Sequence, residues 1–413
     1  MRGSLNVRGV RDASGMVRDI AVSGGVIVEH PPSDADELEG DGFVVLPRLA
    51  DCHVHLDKTL LGERWFPHRP ANALGQRAKI ERELLDSNRI AALDVRASRL
   101  LEQAVGYGTT LLQSHVDVED SRSLSRVETL LSVAEKYADL IEVALVAFPQ
   151  AGLLGSAGTR GALDRALALG AEAVGGLDPM ALDGDRDTHL NTVFALADRY
   201  GCRVDVHLHE PGPMGTATIR AVAERARALG MEGRCAVSHG YALAQVDDEE
   251  LGSTGTAMAE AAVSLITSVP ADGRLPPLRR LRELGVNAIV ASDNIRDCWS
   301  PFGNGDLVAR AGLAAYCSNW RTDADIAEAL ALVSSNPATA LERPQSRLRP
   351  GDPADFTLLR AETLAEALVT APTQRVVIRA GHVVARDGRL LEDKTRGTTT
   401  RTRDTWRTEL SEA

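Results

Sequence analysis

Apolar, β-branched runs alternate along this chain with longer stretches of helical periodicity. The runs lie at 44–49, 109–115, 142–148, 173–177, 203–207, 235–239, 263–268 and 287–292. Helix candidates fall between them at 127–138, 159–167, 188–200, 216–229, 247–258 and 275–284. After Thr188 the apolar residues Leu190, Val193, Phe194, Leu196 and Ala197 recur with the helical period, and Thr188 is placed as the N-cap. Strands alternating with helices mean βαβ units and a parallel sheet. Eight such units within about 250 residues predict a (β/α)8 TIM barrel, an α/β fold, rather than an open sheet.

The rhythm breaks in two places. The stretch 56–103 carries Trp65, Phe66, Pro67, His68 and Arg69 and then two helix-like pieces. It starts at the mouth of the predicted barrel, so it is expected to form a cover over the pocket and the first barrel helix. The chain ends differ again, with short strand-like pieces and Gly, Pro and Asp turns at 1–48 and at 347–391. Neither end can bury a sheet alone. They are expected to join as one small β-sandwich, around a barrel spanning 49–346, with 392–413 left as a polar C-terminal tail.

The net charge of −12 argues against a nucleic-acid or anionic-membrane surface. No apolar stretch approaches the roughly 20 residues of a membrane span, and the N-terminus shows no signal-peptide pattern. Five scattered cysteines without a C-x-x-C suit a reduced, cytoplasmic protein. The expected partner is a small molecule.

Candidate chemistry sits at the ends of the strand-like runs. His53-Val54-His55 lies behind the apolar run 43–47. Strand side chains alternate with period two, so both imidazoles face one side and reach one ion. The segments 204–210, 236–239 and 289–293 also end in metal-competent or acid/base residues. His53, His55, His207 and Asp293 offer three imidazoles and a carboxylate, a set that suits one divalent ion, Zn²⁺ or Fe²⁺, and leaves a place for water. The ion lowers the pKa of that water from about 15.7 towards ~7. A second ion is not expected, because the fourth strand ends without a bridging Lys. Asp178 lies beyond that strand and could at most substitute weakly. Glu210, three residues past His207, is placed to shuttle a proton. His239 ends the next strand and faces the same pocket, where it orients water or substrate. His209 lines the pocket, His115 is a polar support inside the barrel, and Lys58 is a structural ion-pair partner near the mouth.

With these residues in view, the chain resembles the amidohydrolase superfamily and, within it, the cytosine deaminase group, over about residues 40–390. The matching pieces include Cys52-His53-Val54-His55-Leu56-Asp57-Lys58, Val146-Ala147-Phe148-Pro149-Gln150, Asp205-Val206-His207-Leu208-His209-Glu210, Ser238-His239 and Ser292-Asp293-Asn294-Ile295-Arg296-Asp297-Cys298-Trp299. The resemblance implies that His53, His55, His207 and Asp293 are metal ligands, Glu210 the proton shuttle and His239 the residue that helps position the attacking water. It makes Gln150 a contact to the substrate ring edge and brings Asn294, His209 and Trp299 to the substrate. A homo-oligomer is the family habit. Two positions depart from the cytosine deaminase pattern: His209 and Asn294 each stand where Asp is usual. Both departures lie beside the substrate and imply a ring other than cytosine. The expected reaction is hydrolytic deamination of a small nitrogen heterocycle, with metal-bound hydroxide attacking an amidine carbon and ammonia leaving. The alternatives are opening of a cyclic amide and removal of an alkylamine from a triazine-like ring.

Overall fold

The computed structural model describes residues 3–70, 74–85, 87, 89–270 and 273–391. The expected tail at 392–413 lies outside the described residues. Five N-terminal strands come first: β1 (Leu5–Arg11), β2 (Val17–Ser23), β3 (Val26–Val28), β4 (Asp36–Glu39) and β5 (Phe43–Pro47). Eight barrel strands follow: β6 (Leu49–Val54), β7 (Thr109–Asp117), β8 (Glu142–Phe148), β9 (Ala173–Leu177), β10 (Arg203–Leu208), β11 (Cys235–His239), β12 (Ser264–Thr267) and β13 (Ala288–Val290). The last four are β14 (Phe356–Arg360), β15 (Arg375–Arg379), β16 (His382–Arg386) and β17 (Arg389–Leu390).

Strands β6 to β13 pair in chain order, each parallel to the next. A parallel bridge between Val54 and Asp293 brings the first strand to the chain just past the last, and Asp293 N–H donates to His53 O at 2.7 Å. Apart from the start of β8, these strands are buried on both faces. Full burial explains why they read as continuous apolar runs rather than alternating ones. The predicted (β/α)8 barrel is present. The two chain ends meet in a separate mixed sheet, where β5 lies between β1 and β14. No helix among the described residues is long and apolar enough to cross a membrane.

Two local expectations shift. The run at 44–49 divides: Phe43–Pro47 pairs antiparallel with β14 in the terminal sheet, and the first barrel strand is Leu49–Val54. His53 therefore lies within a barrel strand rather than behind the run. Arg48 is the joint between the two sheets. It is buried, donates to Thr110 O at 3.1 Å and to Glu142 at 2.8 Å, and lies 3.8 Å from Asp355. An apolar run carries no mark of where such a division falls, because Arg48 finds its partners on distant segments. The helix Arg186–Tyr200 also begins earlier than expected. Its N-cap is Asp185, which accepts from Thr188 N–H at 3.0 Å and from the Thr188 hydroxyl at 2.6 Å. Thr188 is thus the donor and Asp185 the cap.

The stretch after β6 supplies two helices. Leu93–Gly106 buries Ala97, Leu100, Leu101 and Val105 in the barrel core. Leu74–Leu85 lies against the strand ends, with Arg77 donating to Trp299 O at 2.9 Å and Glu81 3.6 Å from Lys58.

One buried ion pair ties the terminal sheet to the barrel. Arg375 on β15 is 1% exposed and donates to both Asp306 oxygens, at 2.9 and 2.6 Å. Asp306 in turn caps the helix Leu307–Cys317. Arg375→Leu strands that carboxylate in the interior and is expected to cost about 3–5 kcal/mol, read from urea unfolding. A loss under about 1 kcal/mol, the size of an ordinary surface pair, would show that the pair does not hold the two units together.

Candidate metal centre

The C-terminal ends of the barrel strands bring His53, His55, His207, His239 and Asp293 together. Ligand atoms of His53, His55 and His207 lie within 4.8 Å of one another, and so do those of His53, His239 and Asp293. Asp293 Oδ1 is 3.5 Å from His53 Nε2 and 3.4 Å from His55 Nε2. His53 belongs to both groups, and Asp293 approaches His53 and His55 as well as His239.

The donor set fits a divalent ion. Both ring nitrogens of buried His207, together with His53 Nε2 and His55 Nδ1, have no hydrogen-bond partner. Buried polar atoms are rarely left in that state, and each costs about 1–3 kcal/mol. Burial and the neighbouring imidazoles hold His53 and His207 well below the usual histidine value. They are therefore neutral, as metal-binding imidazoles must be. Burial would raise Asp293, but its contact with His55 and the nearby His239 outweigh that and hold it well below the carboxylate range.

A buried network orients His53. Its Nδ1 lies 2.8 Å from Ser238 Oγ, and Ser238 Oγ donates to Asp205 Oδ1 at 2.6 Å. With the hydroxyl hydrogen committed to Asp205, Ser238 accepts from His53 Nδ1–H. The lone pair is thereby fixed on Nε2, towards the ligand cluster. The other Asp205 oxygen lies 3.2 Å from His115 Nε2 and accepts from Gln113 Nε2 at 3.1 Å. His115 stacks on His53 at 3.9 Å, and His53, His115 and Asp205 form a further group whose ligand atoms lie within 4.8 Å of one another. The roles of Asp205 and Ser238 were missed. A signal for Asp205 existed: it stands two positions before His207, so the strand period puts it on the same face.

Three strand ends bend through left-handed backbone at residues other than glycine: Asp178 (φ 38°), His239 (φ 72°) and Asp293 (φ 58°). Such conformations cost on the order of 1–3 kcal/mol and gather where a site dictates them. Asp178 uses its bend to hold the next strand end. Its Oδ1 accepts from His209 N–H at 2.6 Å and from Glu210 N–H at 3.2 Å, and its Oδ2 lies 2.9 Å from His209 Nδ1. Among the described residues it joins none of the groups able to hold a metal. Its position invited a ligand role, but its carboxylate is occupied by the chain that carries His209. The His209 ring stacks on His239 at 4.2 Å.

Glu210 is 1% exposed. Its carboxylate accepts from Met180 N–H at 2.6 Å, Ala181 N–H at 3.2 Å and the Thr218 hydroxyl at 2.7 Å. Gln150 Oε1 accepts from Lys58 Nζ at 2.9 Å. Lys58 is buried, 3.0 Å from Asp117, and lies over the Trp299 ring at 5.1 Å. The ion-pair role expected of Lys58 is what its contacts display. The Asn294 amide donates to Asp297 at 2.6 Å, so its N–H is turned to a neighbouring carboxylate.

The sequence and the fold are similar to those of known proteins. The amidohydrolase family profile matches residues 39–391. The N-isopropylammelide isopropyl amidohydrolase of Pseudomonas sp. (strain ADP) is 29% identical over 358 residues, 85% of this chain and 88% of that protein. The crystal structure of N-isopropylammelide isopropylaminohydrolase from Burkholderia multivorans ATCC 17616 has a TM-score of 0.89 at 35% identity, covering 94% of this chain and 100% of that one. That of 5-methylcytosine deaminase from Klebsiella pneumoniae, liganded with phosphonocytosine, has a TM-score of 0.79 at 25% identity, covering 95% of this chain and 100% of that one. With eight parallel strands closing around a histidine–aspartate cluster and a family match over most of its length, the chain belongs to the amidohydrolase family, hydrolases of carbon–nitrogen bonds.

Proposed function

We propose that this enzyme removes an amine from a ring carbon of a small nitrogen heterocycle, using one divalent ion, Zn²⁺ or Fe²⁺, held by His53, His55, His207 and Asp293. The observation that carries this is that three buried histidines whose ligand atoms lie within 4.8 Å of one another, His53, His55 and His207, each hold a ring nitrogen without a partner. An ion bound there supplies Lewis acidity that makes water nucleophilic near neutral pH. The protein groups do the rest. Asp293, kept anionic, accepts a proton from the attacking water and passes it to the departing amine, whose bond to the ring carbon then breaks. Glu210 carries a proton to the ring nitrogen, which removes amidine resonance and makes the carbon electrophilic. To do so it exchanges one of its three present donors for the substrate. Burial holds His239 near 3, below the usual histidine value. It is thus neutral and can hydrogen-bond the oxygen on the reacting carbon, where fixed dipoles contribute most. Gln150 and Trp299 line the ring edge.

Two leaving groups share this chemistry. Deamination releases ammonia. The second reading, release of an alkylamine from a triazine-like ring, is favoured by the similarity to two N-isopropylammelide hydrolases. A release assay over cytosine, isocytosine, creatinine, pterins, aminotriazines and N-alkylaminotriazines distinguishes them, with ammonia and alkylamine measured separately. Release of neither from any ring rejects the reaction class. Glu210→Gln is expected to retain the metal and lose about 10²–10⁴ in kcat, the range of general acid–base contributions. Unchanged turnover in that variant rules out its role as proton carrier.

A further inference from the structure

The donors on Glu210 are divided unequally between its two oxygens. Oε1 accepts from Met180 N–H at 2.6 Å and from Ala181 N–H at 3.2 Å. Oε2 has the Thr218 hydroxyl alone among the described residues, at 2.7 Å. The two backbone donors are fixed in place. They belong to the short helix Pro179–Asp183, which is held at both ends. Asp178, just before it, donates its N–H to His207 O at 3.1 Å and accepts Leu182 N–H on its own carbonyl at 2.9 Å. Asp183, its last residue, accepts Leu153 N–H at 3.0 Å and Leu154 N–H at 3.1 Å from the loop after β8, and the Nδ1–H of His189 at 2.6 Å. Burial holds His189 below the usual histidine value, so its ring is neutral. A carboxylate oxygen only accepts, so the ring hydrogen sits on Nδ1.

Thr218 is a donor of another kind. It is fully buried on the helix Gly212–Ala228, three residues after Gly215. At Gly215 that helix lies so close to the Glu210 carbonyl that a Cβ would collide with it. The Thr218 hydroxyl has one hydrogen and two acceptors in reach, Glu210 Oε2 at 2.7 Å and Met214 O at 3.3 Å. Rotation about one bond carries the hydrogen from one to the other. A charged oxygen binds it more strongly than a neutral carbonyl, so it rests on Oε2 while Glu210 is anionic and can leave once that oxygen takes up a proton.

We propose that Thr218 is a positioning residue that selects the working oxygen of Glu210: Oε1 stays with its fixed donors, and Oε2 exchanges the Thr218 hydrogen for the substrate. This rests on the proposed role of Glu210 as proton carrier and names the atom that carries it out. The attacking water supplies two protons. One passes through Glu210 Oε2 to the ring nitrogen, the other through Asp293 to the departing amine, and both carboxylates end as they began. Without the hydroxyl, Oε2 has no donor to draw it back to the charged form between turnovers.

Thr218→Val keeps the shape and removes the hydroxyl, and Thr218→Ser keeps the hydroxyl. With the metal-loaded enzyme and a ring that loses its amine, Thr218→Val is expected to lower kcat by about 10–100-fold, the worth of one hydrogen bond to a charged group. KM should stay within about twofold, because the hydroxyl does not touch the substrate, and Thr218→Ser should recover most of kcat. Added to Glu210→Gln, Thr218→Val should change kcat by less than about twofold, since no carboxylate is left to serve. A merely structural role would cost the same in both backgrounds. An infrared readout needs no substrate. The carboxylate stretch of Glu210, isolated as the difference from Glu210→Gln, should shift in Thr218→Val and not in Thr218→Ser. A Thr218→Val enzyme as fast as wild type, a Thr218→Ser enzyme as slow as Thr218→Val, an additive loss in the Glu210→Gln background or an unshifted stretch overturns the proposal. Failure of the underlying reading looks different: Glu210→Gln itself would turn over normally, or no ring would lose its amine. Either result removes the exchange role, and a shifted stretch would then report a structural bond only.

Discussion

Treatment with a strong chelator is expected to silence this enzyme, and one equivalent of Zn²⁺ or Fe²⁺ per chain to restore it. The reason lies in the folded chain. His207 is buried with both ring nitrogens unpartnered, and His53 and His55 each add another such atom. A protein tolerates this concentration of unsatisfied groups only where something binds them. His207→Ala should therefore lose more metal affinity than the roughly 10–100-fold that changes in supporting residues cost, and turnover with it. Chelation should also lower the melting temperature, since an ion at a thousand times its Kd stabilises the folded state by about 4 kcal/mol. Stability should fall with acid as well. Burial holds His53 and His207 below their ordinary 6.5. The unfolded chain therefore takes up protons there that the folded chain refuses, and the stability present above that value is lost as pH drops beneath it. Urea midpoints on either side of pH 6.5 check the sign. Full turnover with residual metal below about a tenth of an equivalent would sink the metal assignment.

The second large effect is expected at Asp205, which need touch neither metal nor substrate. Its two oxygens collect Ser238 Oγ, Gln113 Nε2 and His115 Nε2 at 2.6, 3.1 and 3.2 Å. Asp205→Ala leaves these groups buried around a void. Breaking a buried charged network of this kind costs about 3–5 kcal/mol. It also frees Ser238 to donate to His53 Nδ1, which would place the histidine proton on Nε2, the nitrogen that the ligand cluster needs bare. A loss of roughly 10–100-fold in metal affinity follows. Asp205→Asn keeps the volume and one acceptor, and should recover much of the stability but less of the affinity. Chelator competition and urea unfolding on both variants separate the two effects. If Asp205→Ala binds metal as tightly as wild type, the Ser238 bridge does not set the tautomer.

Much of this was legible in the residues. Strand-length apolar runs separated by helical periods predict a barrel, because strands buried on both faces cannot alternate. Histidines and an aspartate at the ends of those runs predict a cluster, because a barrel gathers its strand ends at one mouth. The order His53, His55, His207, His239, Asp293 carries both kinds of information, and the five fall into two groups of close ligand atoms that share His53.

What the chain order could not state is which long-range partner each polar group would find. Arg48 divides an apolar run that looks continuous, since Thr110, Glu142 and Asp355 claim it from three segments. Asp178 stands at a strand end as the ligand candidates do, yet it grips the backbone of His209 and Glu210 from the neighbouring strand end. Lys58 reads as an ion-pair residue and is one, while its bond to Gln150 comes from a segment 92 positions along the chain. Hydrophobic periodicity is local and repeats, so a sequence displays it. A hydrogen-bond partner is a single atom brought from far along the chain, and only the closed barrel determines which atom that is.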